Sequence, residues 1–141
     1  MNNKISIQLK KVNKSHYRFL YDLLKERDPR INISHKEMPT YEEHVKFVMS
    51  KPYSKWYIIE FKGKMVGTTY LSKNNEIGIF IKKRFQRGEI GKSALEMLIK
   101  KNPRSRYLAN INPKNKNSIN FCKRNGFKLI QHTFELTTQN L

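Results

Sequence analysis

The sequence predicts an α/β domain: a mixed, mostly antiparallel sheet with helices packed on its faces, in the order β-α-α-β-β-β-α-β-α-β. Three observations carry that expectation. Between Trp56 and Ile81 three short apolar runs are separated by the turn pairs Lys62-Gly63 and Asn74-Asn75, which reads as an antiparallel meander. Upstream, Tyr17, Leu20, Tyr21 and Leu24 follow helical spacing. Downstream, the run Glu76 to Ile81 passes through a basic, glycine-bearing turn into a helix that begins near Ile90.

The elements follow in order. Ile5, Ile7 and Leu9 alternate with polar residues and predict an opening strand. A first helix covers about Lys14 to Glu26, and Pro29 to Pro39 is an irregular connection. Thr40 reads as an N-cap with Glu43 placed for a capping box, so a second helix carries Tyr41, His44, Val45 and Val48 and ends before Pro52. Strands Trp56 to Phe61, Met65 to Leu71 and Glu76 to Ile81 make the meander, and Trp56, Tyr57 and Phe61 read as strand packing. The third helix carries Ala94, Leu95, Leu98 and Ile99 and stops before Pro103. Tyr107 to Ile111 predicts another strand. A fourth helix runs from about Lys116 to Arg124 and stops at Asn125-Gly126. Phe127 to Ile130 and Thr133 to Leu136 are expected to close the sheet.

A chain of 141 residues fits one domain, 1–141, without repeats, low-complexity stretches or linkers. Hydrophobic residues make up 38% and are spread throughout, which excludes a disordered chain. No apolar stretch is long enough to span a bilayer, and Met1 to Ile5 lacks a signal-peptide core. Cys122 is the single cysteine, which rules out an intramolecular disulfide and a multi-cysteine zinc site. The four histidines lack ligand spacing, so no metal is expected. The plain expectation is a cytoplasmic protein, monomeric or homodimeric, with no membrane partner.

The formal charge of +18 suits polyanionic partners: nucleic acid, anionic lipid or a phosphorylated cofactor. Most of it is scattered along the chain as a solvated surface. The densest cluster, Lys82, Lys83, Arg84, Arg87 and Lys92, coincides with the glycine turn. A turn of this kind aims successive backbone N–H groups outward, and a helix N-terminus adds partial positive charge, so the segment is a candidate phosphate socket. Gly91-Lys92-Ser93 is also the tail of a P-loop, but that pattern needs glycine where Gln86 stands. It also needs a later strand ending in Asp, whereas this chain offers Ala109-Asn110-Ile111-Asn112.

The turn Gln86-Arg87-Gly88-Glu89-Ile90-Gly91 resembles the cofactor signature Gln/Arg-x-x-Gly-x-Gly/Ala of the GNAT acetyltransferase superfamily. Gln86 and Gly91 match; Glu89 replaces the middle glycine, and Gly88 is displaced by one place. A second stretch, from Pro113 through Asn115, Ser118, Ile119 and Phe121 to Gly126-Phe127, is similar to that family's "N-x-x-(A/S)-I-x-x-(Y/F)…GF" helix, with Cys122 where an aromatic is usual. The element order resembles the same fold over nearly the whole length. Ile33 to Pro39, Tyr41 to His44 and Asn110 to Pro113 further resemble a subgroup associated with bacterial surface-sugar biosynthesis.

The resemblance implies an acetyl-CoA-dependent N-acetyltransferase in which an amine attacks the thioester directly. It implies that backbone groups of Ile79, Phe80 and Ile81 bond the pantetheine amides. Gln86, Arg87, Gly88, Glu89, Ile90, Gly91 and Lys92 would surround the pyrophosphate, with Asn115 and Ser118 on the cofactor side of the fourth helix. Glu76 takes the position where several members carry a basic glutamate; equally, it reads as an ordinary solvent-facing residue beside the Asn74-Asn75 turn. Cys122 matches the position of the family's acidic tyrosine, although a small buried hydrophobe is a cysteine's commoner role. Tyr70 or solvent is the alternative proton donor to the departing thiolate. His35, Glu37, Tyr41, His44, Tyr70 and Asn110 fall where the fold binds its acceptor, and His44 also reads as a packed helix residue. The acceptor expected is a small amine, an amino sugar or sugar nucleotide, with a protein or peptide amine as the alternative. The rival from another class is a basic nucleic-acid-binding module.

Overall fold

The computed structural model describes residues 5–27, 37–86 and 88–140. His35 and Arg87, both expected at the site, lie outside the described residues. Strand β1 (Ile7–Lys11) opens the fold; a short 3-10 turn, Lys14–His16, leads into helix α1 (Tyr17–Lys25). Helix α2 is Tyr41–Met49, followed by β2 (Lys55–Phe61), β3 (Lys64–Leu71) and β4 (Ile77–Ile81). Helices α3 (Ile90–Lys101) and α4 (Lys116–Arg124) complete the elements that position the site.

Local chemistry explains most boundaries. Asn13 caps the 3-10 turn, and its own N–H is received by His16 Nδ1 at 3.0 Å. Thr40 caps α2 in a full capping box, with Thr40 Oγ1 accepting the Glu43 N–H at 3.1 Å and Glu43 Oε1 accepting the Thr40 N–H at 3.0 Å. Lys62 and Gly63 both have positive φ (51° and 75°), the mirror-image turn that suits a two-residue hairpin.

The four strands form one antiparallel sheet in the order β1-β2-β3-β4. Pairing shifts by one residue between Ile59 and Glu60, where Gly67 and Met65 are the successive partners and Val66 is the extra residue. Helix α3 covers one face through Ala94, Leu95 and Leu98 against Ile7, Tyr57, Ile59, Leu71 and Ile77. Helices α1 and α2 cover the other, where Leu20 and Val48 meet Ile58. Ile58 and Ile59 are therefore both fully buried although they are consecutive. Each such side chain contributes about 1.5–3 kcal/mol of burial.

The strands expected after α3 differ from the structure. Tyr107 to Ile111 does not form a strand: Leu108 makes one isolated parallel bridge to Glu76, with Ile77 N–H to Leu108 C=O at 2.7 Å and Leu108 N–H to Asn75 C=O at 2.8 Å. Beyond that bridge the two segments make no further ladder among the described residues. Phe127 to Ile130 and Thr133 to Leu136 join no sheet either. Their composition is strand-like, but a strand exists only with a partner edge, and none in the described chain is paired with them.

Candidate active site

The outer edge of β4 is built by hydrogen-bond parity. Lys82 N–H bonds Val66 C=O at 2.8 Å and Ser72 N–H bonds Glu76 C=O at 2.9 Å. With the register between these ends, Phe80 and Gly78 exchange peptide bonds with β3, whereas Ile77, Ile79 and Ile81 turn theirs away from it. Ile77 spends its N–H on Leu108, and Ile81 C=O accepts Gln86 Nε2 at 2.8 Å. The Ile79 peptide groups and the Ile81 N–H remain directed into the gap that opens past Leu108. The expectation for the Phe80 backbone is corrected accordingly: its peptide groups belong to the β3 ladder. Gln86 closes the turn after β4 with its side chain.

That gap leads to the N-terminus of α3. The first intrahelical bond is Ser93 N–H to Glu89 C=O at 2.9 Å, so the N–H groups of Ile90, Gly91 and Lys92 have no carbonyl in the helix. Glu89 is the N-cap residue, its side chain makes no capping hydrogen bond, and it is exposed to solvent. Gly88 is exposed and a Cβ there would meet nothing. A Cβ at Gly91 would stand 3.1 Å from Phe121 Cε2, so this glycine lets α4 approach α3. Asn115 and Ser118 are coupled to each other at the start of α4, Asn115 Oδ1 accepting the Ser118 N–H at 3.2 Å. Three uncapped helix N–H groups beside an open strand edge, flanked by Lys82, Lys83 and Lys92, are a donor set that fits a diphosphate joined to an amide-bearing chain.

Across the sheet, on the α1/α2 face, lies a pocket that the sequence does not announce. Tyr53 and Tyr70 stack with ring centroids 3.7 Å apart and planes 7° from parallel, and Tyr53 meets Trp56 edge-on at 4.8 Å. The Tyr70 ring lies across Gly78, where a Cβ would come within 2.1 Å of it. The guanidinium of Arg27 sits 3.8 Å from the Phe80 ring centroid. Arg27, Tyr53, Trp56, Tyr70 and Phe80 line one pocket, together with His44 and Phe47. Burial pushes the Tyr53 and Tyr70 hydroxyls up, so both are neutral, and burial lowers the Arg27 value from that of a free guanidinium.

Glu76 stands at the head of β4. Alternation puts its side chain on the face of Gly78 and Phe80. Its carboxylate accepts Ser72 Oγ at 2.9 Å and the Asn110 side-chain amide. Glu76 and Asn110 are thus brought together, and Glu76 is half-buried. Cys122 is half-buried and burial pushes its thiol up, which keeps it protonated and a poor nucleophile. Tyr41 and Glu37 are exposed; Tyr41 packs edge-on against Tyr21 at 5.4 Å and does not line the pocket. His44 is buried, its ring 5.6 Å from Tyr21 and 6.3 Å from Phe47, and it does line the pocket.

Sequence reasoning missed Arg27, Tyr53 and Trp56 as pocket residues and saw Phe80 only as backbone. Trp56, Tyr70 and Phe80 share a sheet face by alternation, and that signal would have found them. Arg27 and Tyr53 lie just outside regular elements, where no period exists to read.

The sequence profile described as the acetyltransferase (GNAT) family matches residues 17–127. The chain belongs to the GNAT acetyltransferase family. It is an N-acetyltransferase, and acetyl-CoA is the acetyl donor. Solved GNAT-like folds superpose closely. A domain from Methanocaldococcus jannaschii DSM 2661 gives a TM-score of 0.79 at 22% identity over 94% of both chains. RimL, a ribosomal alpha-N-protein acetyltransferase in complex with coenzyme A, gives 0.73 at 20% identity, over 92% of this chain and 84% of that one. An aminoglycoside N-acetyltransferase in complex with CoA gives 0.70 at 15% identity over 99% of both. No curated protein matches the sequence significantly. Among the described residues, no helix of this GNAT domain is long and apolar enough to cross a membrane, and no group of three or more His, Cys, Asp or Glu is placed to hold a metal.

Proposed function

We propose that this GNAT enzyme acetylates the amine of an amino sugar or sugar nucleotide. The observation that carries this reading is the aromatic pocket with one guanidinium. Tyr53, Trp56, Tyr70 and Phe80 line it; Tyr53 and Tyr70 spend one face on each other and Arg27 lies over Phe80, so it is chiefly ring edges that are left to meet the C–H groups of a pyranose. Neutral tyrosine hydroxyls serve sugar hydroxyls as hydrogen-bond partners, and Arg27 suits a phosphate in bidentate fashion. The charge of +18 disfavours polycationic acceptors and favours phosphorylated ones. The resemblance of the Asn110 to Pro113 and Tyr41 to His44 segments to surface-sugar enzymes points the same way.

The cosubstrate supplies an electrophilic acetyl thioester. Ile79 and Ile81 hold its amide chain along the β4 edge, the amides of Ile90, Gly91 and Lys92 receive the diphosphate, and a β4 N–H donates to the carbonyl oxygen where charge develops. Glu76, fixed by Ser72 and Asn110, takes the proton of the acceptor amine directly or through one water. Protonation of the departing thiolate falls to Cys122, Tyr70 or solvent; Cys122 and Tyr70 are both protonated in the fold.

The test is thiol release from acetyl-CoA across amino-sugar nucleotides, free amino sugars and peptide amines. The expected order places a phosphate-bearing amino sugar first in kcat/KM. Peptide amines outpacing every sugar would reject this acceptor assignment.

A further inference from the structure

The cations of this chain are spread along it, but the acids are not. From Met97 to Phe134 there are nine lysines and arginines and no aspartate or glutamate, so 38 of 141 residues carry half of the net charge of +18. The 96 residues before them hold 20 basic against 10 acidic side chains. All nine of these cations are exposed. None of them belongs to the donor site described above.

The fold gathers them. Tyr107, Phe121 and Phe127 pack against the core cluster that contains Leu95 and Leu98. The end of α3, the loop after it and α4 are therefore held around one cluster, with their basic side chains in solvent. Tyr107 braces the loop: its hydroxyl donates to Asn102 C=O at 2.6 Å and accepts the Arg104 N–H at 2.7 Å. On α4 the exposed positions are Lys116, Asn117, Asn120, Lys123 and Arg124, one stripe at helical spacing. The stripe holds cations and amides, with neither an apolar residue nor a ring.

We infer that this face, α4 with the end of α3, is a docking surface for the phosphate backbone of a nucleic-acid duplex. Charge complementarity carries the assignment. From Lys116 to Arg124 the stripe runs roughly 12 Å along the helix axis, a length that one phosphate cannot span and a row of phosphates can. Lysine, arginine and asparagine side chains are donors of the kind that contact the sugar-phosphate backbone. With no ring on the stripe there is no platform for unpaired bases, which favours a duplex over a single strand. With no apolar residue on it, nothing on the stripe enters a bilayer, which disfavours a lipid surface. Such binding ignores base sequence and falls steeply with salt. The inference does not depend on the acceptor assignment.

The test is fluorescence anisotropy with a labelled DNA duplex of about 20 base pairs, read from about 50 to 200 mM salt. The parent protein is expected to bind, with a log–log salt slope that reports several phosphates. Lys116→Gln with Lys123→Gln and Arg124→Gln is expected to make that slope shallower by about three, close to one for each cation removed. Lys11→Gln with Lys55→Gln and Lys64→Gln removes the same charge from exposed positions on β1, β2 and β3, and is expected to change the slope by less than about one. Should the α4 variant unfold by circular dichroism, amine-reactive footprinting of the parent protein decides: the duplex is expected to protect Lys116 and Lys123 and to leave Lys55 and Lys64 reactive. A parent protein without salt-dependent binding overturns the inference. So does an equal loss in the two triple variants, which would assign binding to dispersed charge. A footprint that misses α4, or tighter binding to phosphatidylglycerol vesicles or to polyglutamate than to the duplex, overturns it as well.

Discussion

Glu76 carries a carboxylate held from two sides, by the Ser72 hydroxyl and by the Asn110 amide. A base fixed in this way keeps its geometry when the acceptor arrives. Glu76→Gln is expected to lower kcat/KM by about a hundredfold or more, in line with general-base contributions, and to leave acetyl-CoA affinity by calorimetry unchanged. Normal turnover in that variant would remove Glu76 from the mechanism. Arg27 has its ring contact with Phe80 and no carboxylate partner among the described residues. A charged hydrogen bond is worth about 1.5–3 kcal/mol, so Arg27→Met is expected to raise the KM of a phosphorylated acceptor by about ten- to a hundredfold, with the KM of acetyl-CoA unmoved. Gly78 is required by a contact: any Cβ would enter the Tyr70 ring. Gly78→Ala is expected to cost about 1–3 kcal/mol in denaturant unfolding and to open the Tyr53–Tyr70 stack.

Elements differ in how far the sequence reveals them. The start of α2 was legible because Thr40 and Glu43 form a local capping box, and the end of α4 because Asn125-Gly126 supplies a left-handed stop. The meander was legible because two tight turns punctuate three apolar runs. Tyr107 to Ile111 and the two runs after Gly126 were misread because strand composition is local while strand existence depends on a distant edge. The aromatic pocket was hidden for a related reason: its walls come from α1, α2, β2, β3, β4 and the segments just outside them. The 3-10 turn before α1 carries a pH dependence. His16 Nδ1 accepts the Asn13 N–H, which an imidazolium, protonated on both ring nitrogens, cannot do. Burial lowers its pKa from 6.5, with Glu60 acting upward and Lys10 downward. The folded state thus resists protonation, and this stabilisation is complete above 6.5 and is lost as pH falls through the folded value. Thermal unfolding is expected to move to lower temperature on acidification, and His16→Gln to flatten that slope.

The whole molecule sets a charged background for one acyl-transfer site. Because +18 is mostly a dispersed surface, it raises the local concentration of anionic substrates and is screened over roughly 8 Å at physiological salt. The KM of a phosphorylated acceptor is expected to rise with ionic strength more steeply than that of an uncharged amino sugar; equal slopes would assign the charge no part in acceptor capture. The central claim is that one continuous line of main-chain donors, from the β4 edge to the first turn of α3, grips coenzyme A. Amide chemical shifts recorded during a coenzyme A titration of the nitrogen-15-labelled protein read that line directly. The account predicts saturable shifts at Ile79, Ile81, Gly88, Ile90, Gly91 and Lys92. Saturable binding that moves other amides while these stay still would contradict it.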